Sequence, residues 1–259
     1  MLQKIFNQLR LAFLIGFAFV LAGTLVGCRS NLTDAQQQTL QQAVQTFQQA
    51  KVPADFMRSA QEFQKVVDSG VRSGAVFCYQ GNAFAQAGDK PRALAAYRQA
   101  FPYMPNNAYL SADMKTMGAK PQKAPLIENL LFWQNWISYP GKQTCALVLA
   151  AITLLVAIVP WIRPKKEWKI ASLILVLATG VAISSFAYDY YRFDVLRQGV
   201  VLEETTARKG DSVTYAAAFT QPLRAGTEFR VMQTRGDWAL VQIEDNLEGW
   251  IETKKAQIW

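Results

Sequence analysis

Three cysteines, nineteen carboxylates and no histidine set the range of chemistry open to this 259-residue chain. Without histidine there can be no Ser-His-Asp or Cys-His relay and no His-ligated zinc or iron. Cys28, Cys78 and Cys145 are too few and too widely spaced for a four-thiolate centre. The acids of the last sixty residues, among them Glu203, Glu204, Glu228, Asp237, Glu244, Asp245, Glu248 and Glu252, are scattered and single out no pair for general acid–base work. The expectation is therefore a chain with no catalytic residue, metal or cofactor, and not an enzyme. Three side chains stand out by type as candidates for binding or anchoring: the Cys28 thiol, the Asn82 amide and the Trp238 indole.

The elements that must position them come from a composition rich in apolar residues, 51% against 18% charged. Three uncharged stretches hold the excess: 11–27, 145–162 and 170–188. Lys4 and Arg10 precede the first, and Leu25-Val26-Gly27-Cys28 closes it. That order is the grammar of an export signal over 1–28. Its last four residues resemble the bacterial lipobox, which implies diacylation of Cys28 and a mature chain that starts there. The competing reading is an uncleaved signal anchor; both send the following residues out of the cytoplasm. Net charge is +8, divided as +2 over 1–28, +5 over 29–125, +3 over 126–199 and −2 over 200–259. No segment has the clustered basic face expected of a nucleic-acid-binding surface, so no nucleic-acid partner is expected.

Residues 31–123 read as all-α. Thr33 and Gln36 have capping-box spacing. Leu40, Ala43, Val44, Phe47 and Ala50 then recur at three- and four-residue steps, which leaves the eight glutamines between Gln36 and Gln49 on a wet face. Further on come Phe77, Gln80-Gly81 and Phe84, then Ala93, Tyr97 and Ala100, then Pro105. This spacing resembles the tetratricopeptide (TPR) repeat. The resemblance implies two antiparallel helices crossing at Gly81 and Ala93, a turn at 88–91, a second helix ended by Pro105 and a peptide-binding role for Asn82. A 34-residue step back implies a degenerate repeat over 40–73, with Phe47 at the position of Gly81; 108–117 reads as a capping helix. The lysine that accompanies such an asparagine in carboxylate-binding repeats is replaced by Cys78, which reads as a small, buried hydrophobe.

Residues 126–142 are aromatic and suit a membrane interface. The two apolar stretches within 143–190 span about 27–29 Å as helices, close to the roughly 30 Å hydrocarbon thickness of a bilayer. They predict a transmembrane hairpin. Its connection, 163–169, carries a net +3 and is expected on the cytoplasmic side. Residues 200–259 switch to short alternating runs split by turn signals at 209–211, 225–227, 235–237 and 245–246. Gly226-Thr227, Gly236-Asp237-Trp238 and Gly249-Trp250-Ile251 resemble the bacterial SH3-like (SH3b) domain. That implies a small all-β barrel in which Gly249 allows close packing and Trp250 fills the interior; Trp238 reads as either core or groove.

The expected whole is thus a multidomain membrane protein with two external folded parts. An export signal, TPR repeats, an aromatic-flanked hairpin and an SH3-like barrel in this order resemble the BatE family of the bacterial aerotolerance (Bat) operon. The resemblance implies a non-catalytic scaffold in the bacterial inner membrane. Its implied partners are Bat proteins with von Willebrand factor A-type domains and a MoxR-type ATPase system. The alternative is a cell-wall-associated protein whose SH3-like domain binds peptidoglycan peptides while its repeats recruit a wall enzyme. Acylation is directly testable: intact-protein mass spectrometry is expected to show a chain starting at Cys28 with added lipid mass. In Cys28→Ser this processing is lost while the protein stays in the membrane fraction through the hairpin; an unmodified Met1 start in the unaltered chain would disprove acylation.

Overall fold

The computed structural model describes residues 32–119, 133–162, 166–243 and 247–259. Cys28 with the rest of the signal-like segment 1–28, residues 126–132 of the aromatic segment and residues 163–165 of the basic connection lie outside the described residues. The described residues form seven α-helices and one five-stranded antiparallel sheet. They divide into two compact units, one from 137–190 and the other from the segments before and after it.

Five helices open the second unit: α1 (Asp34–Gln49), α2 (Pro53–Asp68), α3 (Gly74–Gln86), α4 (Lys90–Ala100) and α5 (Ala108–Thr116). The capping box forms as expected, with Gln36 N–H donating to Thr33 Oγ1 at 3.3 Å and Thr33 N–H donating to Gln36 Oε1 at 3.0 Å. Gly88 turns the chain in the left-handed region (φ +84°), and Asp89 Oδ1 caps α4 by accepting from Arg92 N–H at 3.1 Å. Phe63, Val66, Phe77, Phe84, Ala93, Tyr97, Ala100 and Leu110 are buried in one continuous core. Gly81 is required at the α3–α4 crossing, because a Cβ there would lie 2.5 Å from two carbons of the Tyr97 ring.

Three details differ from the repeat expectation. Gln49 and Gln86 end α1 and α3, and Pro53 and Lys90 begin α2 and α4, a spacing of 37 residues rather than 34. The small residues of the first pair are Ala43 and Ser59, the second of them 34 residues before Ala93 as the repeat step expects, and Ser59 Oγ donates to Ala43 O at 3.2 Å. Phe47 is not at the crossing; it lies edge-on to Phe56 and Tyr79, with centroids 5.7 and 6.0 Å away. Pro105 does not end α4, which stops at Ala100 and passes through turns before Pro105 is reached.

The sheet consists of β1 (Gln198–Val201), β2 (Glu228–Arg235), β3 (Trp238–Gln242), β4 (Glu248–Glu252) and β5 (Ala256–Ile258), ordered β4-β3-β2-β1-β5. Gly226 sits in the turn before β2, its N–H donating to Val201 O at 2.8 Å. Val201, Ala207, Phe229, Ala239, Val241 and Ile251 form the core of this part. A Cβ on Gly249 would come within 2.9 Å of Ala207 Cβ, so the close approach expected of Gly249 is present.

The expected separation into two folded parts on either side of the hairpin does not hold. Leu94 and Ala95 on α4 pack against Val200 on β1, all three fully buried, with Met117, Ala119 and Trp259 around them. Beside this contact Arg98 grips Glu228 with two parallel bonds, Nε to Oε1 at 3.0 Å and an Nη to Oε2 at 2.9 Å. Helix α4 turns Ala93, Tyr97 and Ala100 to the helical core and Leu94 and Ala95 to the sheet, while Lys90, Arg92, Arg98 and Gln99 are its polar residues.

The other unit is a pair of long helices, α6 (Tyr139–Ile162) and α7 (Lys166–Tyr190). Both are long and apolar enough to cross a membrane. They run antiparallel: Lys142 pairs with Asp189, Thr153 Oγ1 lies 2.7 Å from Thr179 Oγ1, and Ser172 Oγ donates to Val156 O at 3.5 Å. Tyr139 stacks on Phe186 at 5.5 Å. Replacing Gly81 is expected to disturb the helical core selectively. Gly81→Leu drives a branched side chain into Tyr97 and costs about 1–3 kcal/mol, read as faster amide exchange in α3 and α4 of the full chain with α6 and α7 unchanged. Unaltered exchange in α3 and α4 would refute the crossing.

Candidate functional site

Residues able to contact a ligand gather where α3, α4 and α5 meet. Tyr97, almost fully buried on α4, donates its hydroxyl to Asn82 Oδ1 on α3 at 2.7 Å. This orients the half-buried Asn82 amide, whose carbonyl accepts from Tyr97 and keeps a second lone pair beside the two Nδ2 hydrogens. Cys78, one turn earlier, lies 4.0 Å from Met104 Sδ. Burial first, and then the negative charge of Asp113 on α5, push the Cys78 thiol up to about 11. The Tyr97 phenol is raised above its ordinary value by the same two causes in the same order. Both groups are neutral at physiological pH, so Cys78 acts as a packing residue and not as a nucleophile.

The other residues singled out by the repeat pattern, Phe77, Phe84, Ala93 and Ala100, are buried and hold this junction together. Asp113 is a chemistry-bearing member that the sequence pattern did not single out. It lies in the short final helix, outside the repeat signature.

On the sheet, Trp238 begins β3 and is half-buried, while Ala239 and Val241 are wholly buried. The alternation puts Trp238 on the face of the strand away from the core, which decides between its two readings in favour of an accessible position. Trp250 is largely buried, but it pairs with Leu240 on the face of the sheet that carries Trp238, away from Ala239 and Ile251, so it does not join the core as the barrel reading expected. The Arg235 guanidinium covers its ring at 5.3 Å from the centroid and reaches Asp211 at 3.5 Å. This stack was not foreseen, since nothing in strand periodicity assigns a partner to an arginine at a strand end.

Lys142 and Asp189 form a nearly inaccessible ion pair, with side chains 5% and 6% exposed. Both residues flank the uncharged stretches, so a search for apolar runs passes over them. Among the described residues, no group of three or more Cys, Asp or Glu side chains could hold a metal ion. No protein-family model, curated protein or solved structure matches the chain.

The raised Cys78 value has a kinetic consequence. Because the thiolate is the reacting form, a thiol titrating near 11 has less of it at every pH below that point than an ordinary cysteine. In a Cys28→Ser, Cys145→Ser background, Cys78 of the folded chain is expected to alkylate slowly at pH 7.5 and at a rate still rising above pH 9. Denaturant should remove both features; a rate that levels off below pH 9 in the folded protein would contradict this.

Proposed function

We propose that the chain is a non-catalytic, membrane-anchored scaffold of a bacterial envelope complex, in which a TPR-like helical face and an SH3-like sheet bind proteins outside the cytoplasm. The observation that carries this reading is the packing of Leu94, Ala95 and Arg98 on Val200 and Glu228. These residues come from segments on opposite sides of the hairpin in sequence. A joint of this kind supports placing both segments on one side of a membrane, which two crossings also require. The net +3 of residues 163–169 supports the extracytoplasmic side, by the bias that keeps short basic loops inside.

The stacked helix pairs with small residues at their crossings support the TPR-like reading, although their 37-residue spacing departs from the usual period. A sheet of order β4-β3-β2-β1-β5 with Gly226 at a turn and Gly249 in close approach to Ala207 supports the SH3-like one. The BatE-like arrangement and its partners, proteins with von Willebrand factor A-type domains and a MoxR-type ATPase system, belong to the same proposal.

Single cysteines at Thr116 and Thr220, both exposed, and at Glu167 report the topology in a Cys78→Ser, Cys145→Ser background. In intact cells, or spheroplasts where there is an outer membrane, a membrane-impermeant maleimide is expected to label the first two and to reach Glu167 only after lysis. Protection of the Thr116 or Thr220 position until lysis would reject the reading. Detergent-solubilised full chain is then expected to co-purify with membrane proteins and to stay in solution with insoluble peptidoglycan at near-physiological salt. Co-sedimentation with peptidoglycan would instead favour the wall-binding role.

A further inference from the structure

Helix α5 carries one large side chain that the fold does not use. Leu110 and Met114 turn into the helical core, while Tyr109 is 85% exposed, more than any other large apolar or aromatic side chain among the described residues. A lone exposed tyrosine signifies little, since folded proteins leave many such rings in water. Its attachment distinguishes this one. Asn106 Nδ2 donates to Trp136 O at 2.9 Å, and the next residue, Asn107, caps α5 by accepting from Leu110 N–H at 3.1 Å. The turn that starts α5 is thereby tied to Trp136, itself 66% exposed and only three residues before α6 begins at Tyr139. Three residues of chain reach at most roughly 10 Å, so the turn cannot lie far from the start of that apolar helix. At the other end of the pair, Tyr191 is also exposed and follows the last residue of α7 directly.

We propose that α5 is a lipid-contacting element of the larger unit, with the Tyr109 ring settling in the headgroup layer that Trp136 enters. The inference rests on the reading of α6 and α7 as membrane spans and adds which surface of the helical part the membrane covers. Lipid is favoured over a protein partner because, on that reading, bilayer already adjoins Trp136, and the Asn106 bond holds the start of α5 to the same place. A tyrosine suits that layer: the ring meets the upper acyl chains while the hydroxyl keeps its hydrogen bonds to water and headgroups. Ala108 and Ala112, exposed on either side of Tyr109, add no charge that would resist the approach. Headgroup depth stays wet, so water-soluble reagents still reach other positions of α5.

The test uses the full chain in vesicles of phosphatidylethanolamine and phosphatidylglycerol. An environment-sensitive fluorophore is placed on Ala112→Cys in a Cys28→Ser, Cys78→Ser, Cys145→Ser background, which leaves Tyr109 in place. Its emission is expected to shift to the blue and to be quenched by phospholipid spin-labelled at the top of the acyl chain. Adding Tyr109→Asp should abolish both the shift and the quenching, and Tyr109→Trp should keep them. Carbonate washing examines the spans separately and should leave every variant in the vesicles. An unquenched fluorophore in a chain that resists carbonate would overturn the proposal and leave the spans standing. Quenching that persists in Tyr109→Asp would overturn it as well, by showing that the tether alone brings α5 to the lipid. A chain that carbonate extracts would overturn the membrane reading and the proposal with it. Amide exchange in α5 is expected to be the same in Tyr109→Asp as in the unaltered chain, since the ring packs on nothing; a changed pattern would assign Tyr109 a structural role and overturn the proposal.

Discussion

The contact between α4 and β1 is the constraint on which the larger unit depends. Leu94, Ala95 and Val200 lose all contact with water there, and their burial supplies the non-directional part of the attraction. Arg98 and Glu228 supply direction. Two parallel bonds fix the planar guanidinium against the planar carboxylate, and side chains only 12% and 23% exposed are screened less than a surface pair. Apolar contact alone would let α4 slide along β1; the fork makes one register better than its neighbours. Helix α4 is thereby held from both sides, with Ala93, Tyr97 and Ala100 turned to the helical core and Leu94 and Ala95 to the sheet. The position of Tyr97, and through it the orientation of Asn82, follows from that double clamp.

Local features of this chain were legible in the sequence to the extent that they depend on neighbours in sequence. The Thr33 capping box, the turn at Gly88 with Asp89 as cap, the inward alternation of Ala239 and Val241, and the close approaches at Gly81 and Gly249 all follow from short-range spacing and appear in the structure. The features that escaped depend on partners far along the chain. A fixed 34-residue step placed Ser59 correctly but put Phe47 at the helix crossing, where the structure has Ala43 against Ser59. Arg98, Asp113, Lys142 and Arg235 are ordinary charged residues of helices and strand ends until the fold brings Glu228, Cys78, Asp189 and Trp250 beside them.

The helix pair α6–α7 obeys a different solvent logic. Its outward surface carries large apolar side chains such as Leu173, Ile174 and Leu177, while its inner contacts are polar: Thr153 with Thr179, Ser172 with a backbone carbonyl, Lys142 with Asp189. In lipid, apolar packing between two helices gains little over contact with acyl chains, so hydrogen bonds and close fit decide whether they associate. A paired lysine and aspartate at one end also set the register of the two helices, because a shift by one turn would separate two charges that meet out of contact with water.

Arg98 and Glu228 are 130 residues apart in sequence, with the whole hairpin between them. During synthesis the helical part therefore emerges long before the strand that covers α4 exists. Leu94 and Ala95 must wait, exposed, until β1 and β2 follow them out of the ribosome and, on the proposed topology, through the translocation machinery. The joint thus makes completion of the larger unit a late event in biogenesis: it can close only after both apolar helices have been disposed of, so a chain whose hairpin failed to insert would be left with an uncovered, sticky helix open to chaperones and proteases.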